Sequence, residues 1–511
     1  MAEPTGGPSG SEDPTARTGP TADVGRADGA DPTSRADPTS PAAPAGGAAP
    51  GQPALTVHGV LRSKGYLGLL VISALVGVPV SLAAFWFVGL EHQLQHWVWE
   101  SLPDALGHDR APWWWPLPAL LLAGLLLAPI VTRVPGRGGH VPVDGLGGPP
   151  APPRTVPGVV LAALACLPLG AVLGPEAPLM AMGGGLALLA VRPSRRAARP
   201  QMVPVLGAAG ATAAISTIFG SPLVAAVMMI EAAGLGGPQL LLLIMPCLLA
   251  SGVGALVFTG FGHWTGLSVG ALSLPSEPPA GIPDPGDFLW GLPVAVAVTV
   301  VCVAGQTLGH RVKAFTVGDP ERAVPPPTTR QTALRTVLCA VAVGACITAY
   351  ALLTDRSPEE AALSGQATLG ALAANPAAWS VFALLALTLC KTVAWGIALG
   401  SLRGGPIFPA VLIGAALGVA CGPLPGLGTE SGLAVGLAAA ATAVTRLPVT
   451  STVLAAALLG PEAPDSLPLL LVTAVTAFVV GELLRGRIDR ARPGAHGPTD
   501  PHHRTLAAPP H

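Results

Sequence analysis

Charge is what this sequence has least of. Only 11% of its 511 residues are Asp, Glu, Lys or Arg, against roughly 25% in an average soluble chain. So few charges cannot cover the water-facing surface of a chain this long, which excludes a soluble enzyme and makes lipid the missing solvent. Long basic runs are absent too: the net charge is −1 and there are three lysines, Lys64, Lys313 and Lys391. Nucleic-acid binding rests on neutralising many phosphates, so no nucleic-acid partner is expected. Two tyrosines and 4% aromatics leave little for base stacking. The seven cysteines stand singly in apolar stretches with no CxxC pair, and read as small core hydrophobes. His92 and His96 share a helix face, but no third ligand accompanies them, so neither a metal nor a cofactor is expected.

What the sequence has in abundance is apolar segments broken by 65 glycines and 57 prolines. Residues 1–56 hold no apolar run and repeat ADPTS. They cannot repay their ordering entropy, so a disordered N-terminal tail is expected. A short disordered tail is likewise expected at 491–511, and the transmembrane domain at 57–490. Within that domain apolar segments fall near 66–90, 114–134, 156–173, 178–191, 203–235, 238–260, 286–308, 334–353, 377–400, 409–446 and 449–484. Several are too short or too interrupted to cross about 30 Å of hydrocarbon as one straight helix. Irregular backbone at membrane depth survives only when buried in protein or lining a wet cavity. Transporters and channels use it, because a half-helix ending at mid-membrane aims free N–H groups and a positive dipole end at an anion. The cluster Trp97, Trp99, Trp113, Trp114 and Trp115 reads as an interfacial belt.

The two halves repeat at these interruptions. Gly174-Pro175-Glu176-Ala177-Pro178 with Gly183 matches Gly405-Pro406-Ile407-Phe408-Pro409 with Gly414, both reading GPxxPxxxxG and 231 positions apart. Gly210 and Pro222 pair with Gly436 and Pro448 at a separation of 226. This is the pattern of a pseudo-symmetric transporter with its substrate site between repeats. Glu176 stands where the other repeat has Ile407, and a carboxyl in a membrane is costly enough to mark function by default. Among N–H groups suited to an anion, its carboxylate can occupy the anion's own place and leave when protonated.

At these residues the chain resembles the CLC family of chloride channels and chloride/proton antiporters, over about residues 60–490. GPEAP at 174–178 is similar to the family's GREGP segment, and Glu176 falls on the gating glutamate. GGPIFP at 404–409 resembles GGIFAP, SPLVAAVMMIE at 221–231 resembles NAPLAGILFIIEE, and TRLPVTSTV at 445–453 resembles ARAPLTGIV. GGHVP at 138–142 takes the place of GSGIP by position more than identity. The resemblance implies an all-α polytopic membrane protein with two inverted repeats of tilted, discontinuous helices, working as a homodimer in the bilayer. It implies transport of small inorganic anions, chloride foremost, gated by protonation of Glu176, either as a proton-coupled antiporter or as an uncoupled channel. The anion-binding positions it implies, mostly through backbone, are Gly174, Ala177, Gly139, Gly405, Ile407 and Phe408.

The sequence departs from that pattern where ligands matter. The family's coordinating serine falls on Gly139, leaving His140 beside it as a substitute donor or an ordinary loop residue. The coordinating tyrosine has no counterpart, since Tyr66 and Tyr350 lie elsewhere. Pro175 and Pro406 each remove an N–H. The internal proton glutamate falls on Ala232, so that the preceding Glu231 is either structural or a substitute on the proton pathway. Lys391, alone in an apolar run, reads as a helix-pairing residue or an anion attractor. No nucleophile with a base, metal set or paired acids stands at catalytic spacing, so an enzyme is not expected. A scaffold without transport would leave the Gly-Pro half-helix starts unexplained. Few lysines with abundant Ala, Gly and Pro point to a GC-rich bacterial genome, hence to the cytoplasmic membrane.

Overall fold

Apolar segments that no Gly-Pro break interrupts become long helices, and those breaks become the ends of short ones. The computed structural model describes residues 63–146, 151–191, 202–234, 237–265, 283–319, 324–460 and 463–490, so the tails expected at 1–56 and 491–511 lie outside the described residues. The first half contains α1 (Lys64–His96), the one-turn α2 (Leu102–Ala105), α3 (Pro116–Arg133), α4 (Val156–Cys166), α5 (Glu176–Val191), α6 (Val203–Ile218), α7 (Pro222–Ala233) and α8 (Gly237–Thr265). The second contains α9 (Pro285–Thr316), α10 (Thr329–Thr354), α11 (Gln366–Ala374), α12 (Val381–Ser401), α13 (Ile407–Ala420), α14 (Thr429–Thr445), α15 (Pro448–Leu459) and α16 (Ala463–Arg490). Among the described residues seven helical spans are long and apolar enough to cross a membrane, and α4, α5, α6, α7, α13 and α15 are shorter apolar helices.

Local chemistry explains the boundaries. Ser63 opens α1 by accepting the Tyr66 N–H at 3.2 Å, and Thr328 with Gln331 forms a reciprocal capping box on α10. The apolar stretch 203–235 divides because Gly220 takes φ +62° and Ser221 caps α7 with Pro222 behind it. Residues 409–446 divide at the Pro- and Gly-rich 422–428. Conversely α1 runs through Pro79 without ending, as membrane helices tolerate when neighbours re-satisfy the backbone.

The repeat visible in sequence reappears as packing. Bare Cα atoms let α5 cross α6 at Gly183 and Gly210, where a Cβ on either would strike the other's main chain. Gly414 and Gly436 do the same for α13 and α14. Such small-residue crossings hold membrane helices together by close backbone approach. The two repeats meet where the stretch before α5 pairs antiparallel with the stretch before α13: the Gly174 N–H donates to the Gly405 carbonyl at 2.8 Å and the bond is returned. One element of the expected belt differs. Trp97, Trp113 and Trp114 are exposed, but Trp99 is buried, its indole N–H donating to the Pro168 carbonyl at 3.1 Å and its ring edge lying against Gly170.

Candidate anion site

Glu176 is the first residue of α5, placed by Pro175 and by the Gly174–Gly405 pairing, and is 0% exposed. Its Oε1 accepts the N–H of Ile407 at 3.0 Å and of Phe408 at 2.9 Å. These amides are the unsatisfied donors at the start of α13, a ready anion-binding position. The carboxylate therefore fills the place an anion would take. Its Oε2 has no hydrogen-bond partner and is held between Gly174 and Gly405, where a Cβ on either glycine would overlap it. The Phe408 ring leans on Phe219 at 5.6 Å between centroids, closing the apolar side.

The expected anion-site residues divide into two groups. Gly174, Glu176, Ala177, Gly405, Ile407 and Phe408 converge, all buried. The amides of Gly174 and Gly405 are used on each other, leaving those of Ile407 and Phe408 for an acceptor. Gly139 stands apart, in a turn at φ +95° that side chains adopt only with strain. Its N–H is turned back to Gly136 at 2.8 Å. His140 pairs through Nε2 with the Gly145 carbonyl at 2.8 Å, inside its own loop.

Glu231 bridges the two repeats, from α7 to α15. Leu447 gives α15 no side-chain cap, and Glu231 reaches across from α7 to supply one. Its Oε1 accepts from Val449 N–H at 3.0 Å and its Oε2 from Thr450 N–H and Oγ1, each at 2.7 Å. Removing this cap in Glu231→Ala is expected to cost about 1–2 kcal/mol. Thermal unfolding in detergent reads the loss; an unchanged midpoint would show that the carboxylate carries no such tie.

Sequence reasoning missed two buried charges, Glu91 and Arg403, and left the role of a third, Lys391, between two readings. Glu91, 3% exposed on α1, touches Gln95 and has His92 Nε2 at 3.8 Å. Lys391 is fully buried on α12, its Nζ donating to the carbonyls of Ala361, Ala362 and Leu363 at 3.0, 2.8 and 3.3 Å. It therefore ties the 361–363 loop to α12. Arg403, 7% exposed, precedes Gly404 and Gly405. A charge at the edge of an apolar run or beside a Gly-Gly pair was the available signal for Glu91 and Arg403.

A carboxylate at the start of one short helix, seated on the free amides of the matching short helix of the other repeat in a bundle with seven membrane-length helical spans, is the arrangement of a membrane transporter or channel for anions. The profile described as "Voltage gated chloride channel" matches residues 142–482. The chain is 27% identical over 364 residues, 70% of its length and 80% of the relative's, to the "Putative ion-transport protein YfeO" of Escherichia coli O139:H28 (strain E24377A / ETEC). With the protein of that name from Escherichia coli O1:K1 / APEC it is 30% identical over 169 residues, which span 40% of that relative. Its fold matches a crystal structure of a CLC-type fluoride/proton antiporter (TM-score 0.63, 18% identity, 82% of this chain and 96% of that one). It also matches that of a slow cyanobacterial Cl−/H+ antiporter (TM-score 0.64, 19% identity, 82% and 95%). The chain belongs to the voltage gated chloride channel family, the CLC family. It is a multi-pass protein of the cell membrane and an anion transporter or channel, not an enzyme.

Proposed function

We propose that this protein moves small inorganic anions, chloride foremost, through each subunit of a homodimer, and that Glu176 is its gate. The observation that carries the reading is the Glu176 carboxylate on the Ile407 and Phe408 amides. In that position it excludes an anion both by charge and by occupancy. Protonation removes the charge the amides attract, the side chain swings out, and an anion takes its place. Flux accordingly rises as pH falls.

Transport coupled to protons is the second reading. Two of the structural relatives are antiporters that exchange an anion with protons, and Glu91 adds a second buried carboxyl on α1. Against an inner proton group at 231–232 stand Ala232 and the use of both Glu231 oxygens on α15.

The test is the purified protein in liposomes with a chloride gradient, recording chloride efflux and proton movement together under a potassium shunt. Wild type is expected to carry chloride faster at acid pH, and Glu176→Gln to carry it at a rate nearly independent of pH. Unaltered pH dependence in Glu176→Gln would remove Glu176 as the gate. Uphill proton movement selects the exchanger, and chloride flux alone the channel.

A further inference from the structure

Helices α9 and α16 run side by side in one direction: the Thr299 methyl lies 3.7 Å from where a Cβ on Gly481 would stand, and Arg485 Nη2 donates to Gln306 Oε1 at 2.9 Å. Their charges are polarised alike. α9 opens on Asp284 and Asp287 and closes on Arg311 and Lys313; α16 has Asp465 in its first turn and Arg485, Arg487 and Arg490 toward its end. Basic residues gather at the cytoplasmic ends of membrane helices, so this end of the pair faces the cytoplasm.

Toward that end the two helices part and leave a groove of about 330 Å³. Its walls are Val300, Val303, Ala304 and Leu308 of α9 with Leu484 and Ile488 of α16. Thr307, also on the wall, turns its hydroxyl to the Val303 carbonyl at 2.7 Å. The free polar group that remains is the guanidinium of Arg311 at the mouth, exposed and, among the described residues, paired with no carboxylate. The charges around it are already matched: Lys313 with Asp144 at 2.6 Å, and Glu482 with Arg446 and Arg485 at 3.3 and 3.1 Å. From Val300 to Arg311 the helix rises about 17 Å, and one leaflet is about 15 Å of hydrocarbon. The groove thus has the length of a lipid tail, with its cation at headgroup depth.

We propose that this groove holds one tail of an anionic phospholipid of the cytoplasmic leaflet, such as phosphatidylglycerol, whose phosphate pairs with Arg311. A soluble anion gains nothing from the apolar walls. A zwitterionic lipid brings its own cation beside its phosphate, so the guanidinium favours the anionic headgroup. The site is independent of the Glu176 gate.

Photocrosslinking in liposomes tests this with the full chain. Phosphatidylglycerol or phosphatidylcholine carrying a diazirine in the same acyl chain is added at equal mole fraction, and the labelled residues are mapped by mass spectrometry. Phosphatidylglycerol is expected to label 300–308 and 484–488 about fivefold more than phosphatidylcholine, the effect of one basic residue near an anionic headgroup. Arg311→Met should bring the two lipids level there and leave labelling elsewhere unchanged, and Arg311→Lys should keep the preference. Leu484→Trp, which fills the groove, should cut labelling of 300–308 by both lipids at least threefold. Equal labelling of the groove by the two lipids in wild type, or a preference that survives Arg311→Met, would overturn the proposal. So would a groove that neither lipid labels and that crosslinks instead to a second copy of the chain.

Discussion

Gly405→Ala is expected to behave as a gate jammed open. The three heavy atoms closest to a Cβ at Gly405 all belong to Glu176, its Oε2, Cδ and Cβ. The two severest clashes of the added methyl are therefore with the movable Oε2 and Cδ of one side chain, while the fixed Cβ of Glu176 is left at a tight 3.1 Å. The least costly relief is for Glu176 to leave the Ile407 and Phe408 amides, since repacking the helices around a buried methyl costs about 1–3 kcal/mol. Chloride efflux at neutral pH should then rise to the level of the Glu176→Gln variant, with a flattened pH profile. In a Glu176→Ala background the same substitution should add nothing, because its collision partner is gone. Wild-type pH dependence in Gly405→Ala would mean that the carboxylate does not need that bare Cα.

The second large effect falls on stability. Lys391→Met keeps the apolar stem and removes the ammonium, leaving the carbonyls of Ala361, Ala362 and Leu363 without their donor. Leaving buried carbonyls unsatisfied costs about 1–3 kcal/mol each, partly offset because the cost of burying the ammonium is removed, so a net loss of about 2–3 kcal/mol is expected. Ala361 and Ala362 are held besides by burial and by their N–H groups on the Pro358 carbonyl at 3.2 and 3.1 Å, but Leu363 sits at φ +57° and bonds Gly170 only at 3.4 Å. The neighbouring Glu360 is independently clamped by Arg356 and by the Tyr350 hydroxyl at 2.5 Å. Unfolding should thus start at 361–365 while 356–360 stays protected. Hydrogen exchange in detergent, with the thermal midpoint, measures both; uniform protection and an unchanged midpoint would refute the role of Lys391.

How far the sequence could be read depended on whether the information was local. The Gly-Pro starts of α5 and α13 were legible because main-chain geometry demands particular residues there, and Glu176 was legible because its partner position holds Ile407. The split of 203–235 was less visible, since Gly220 and Pro222 sit inside an otherwise continuous apolar stretch. Trp99 looked interfacial beside Trp97 and became core because Gly170 opened room for its ring. Arg403 and Glu91 were harder still. A side chain's burial is decided by distant segments, as that of Arg403 is by the 137–138 turn. Glu231 could be found by motif but not assigned, because the α15 N-terminus it caps lies 218 residues further along the chain.

The glycine crossings bear on how fast the pathway can respond. At Gly183–Gly210 and Gly414–Gly436 main chain touches main chain, so the frame around Glu176 has almost no give, and sliding either helix would strip contacts from both. The part left free to move is one side chain with three rotatable bonds. Rotamer changes take picoseconds to nanoseconds where a side chain is exposed; Glu176, 0% exposed, turns more slowly, but without the shift of packed helices that takes microseconds or more. With Glu176 as the gate, the tempo of opening is set by the arrival and departure of protons at a sealed carboxyl, and turnover tracks the proton supply and not the stiffness of the bundle.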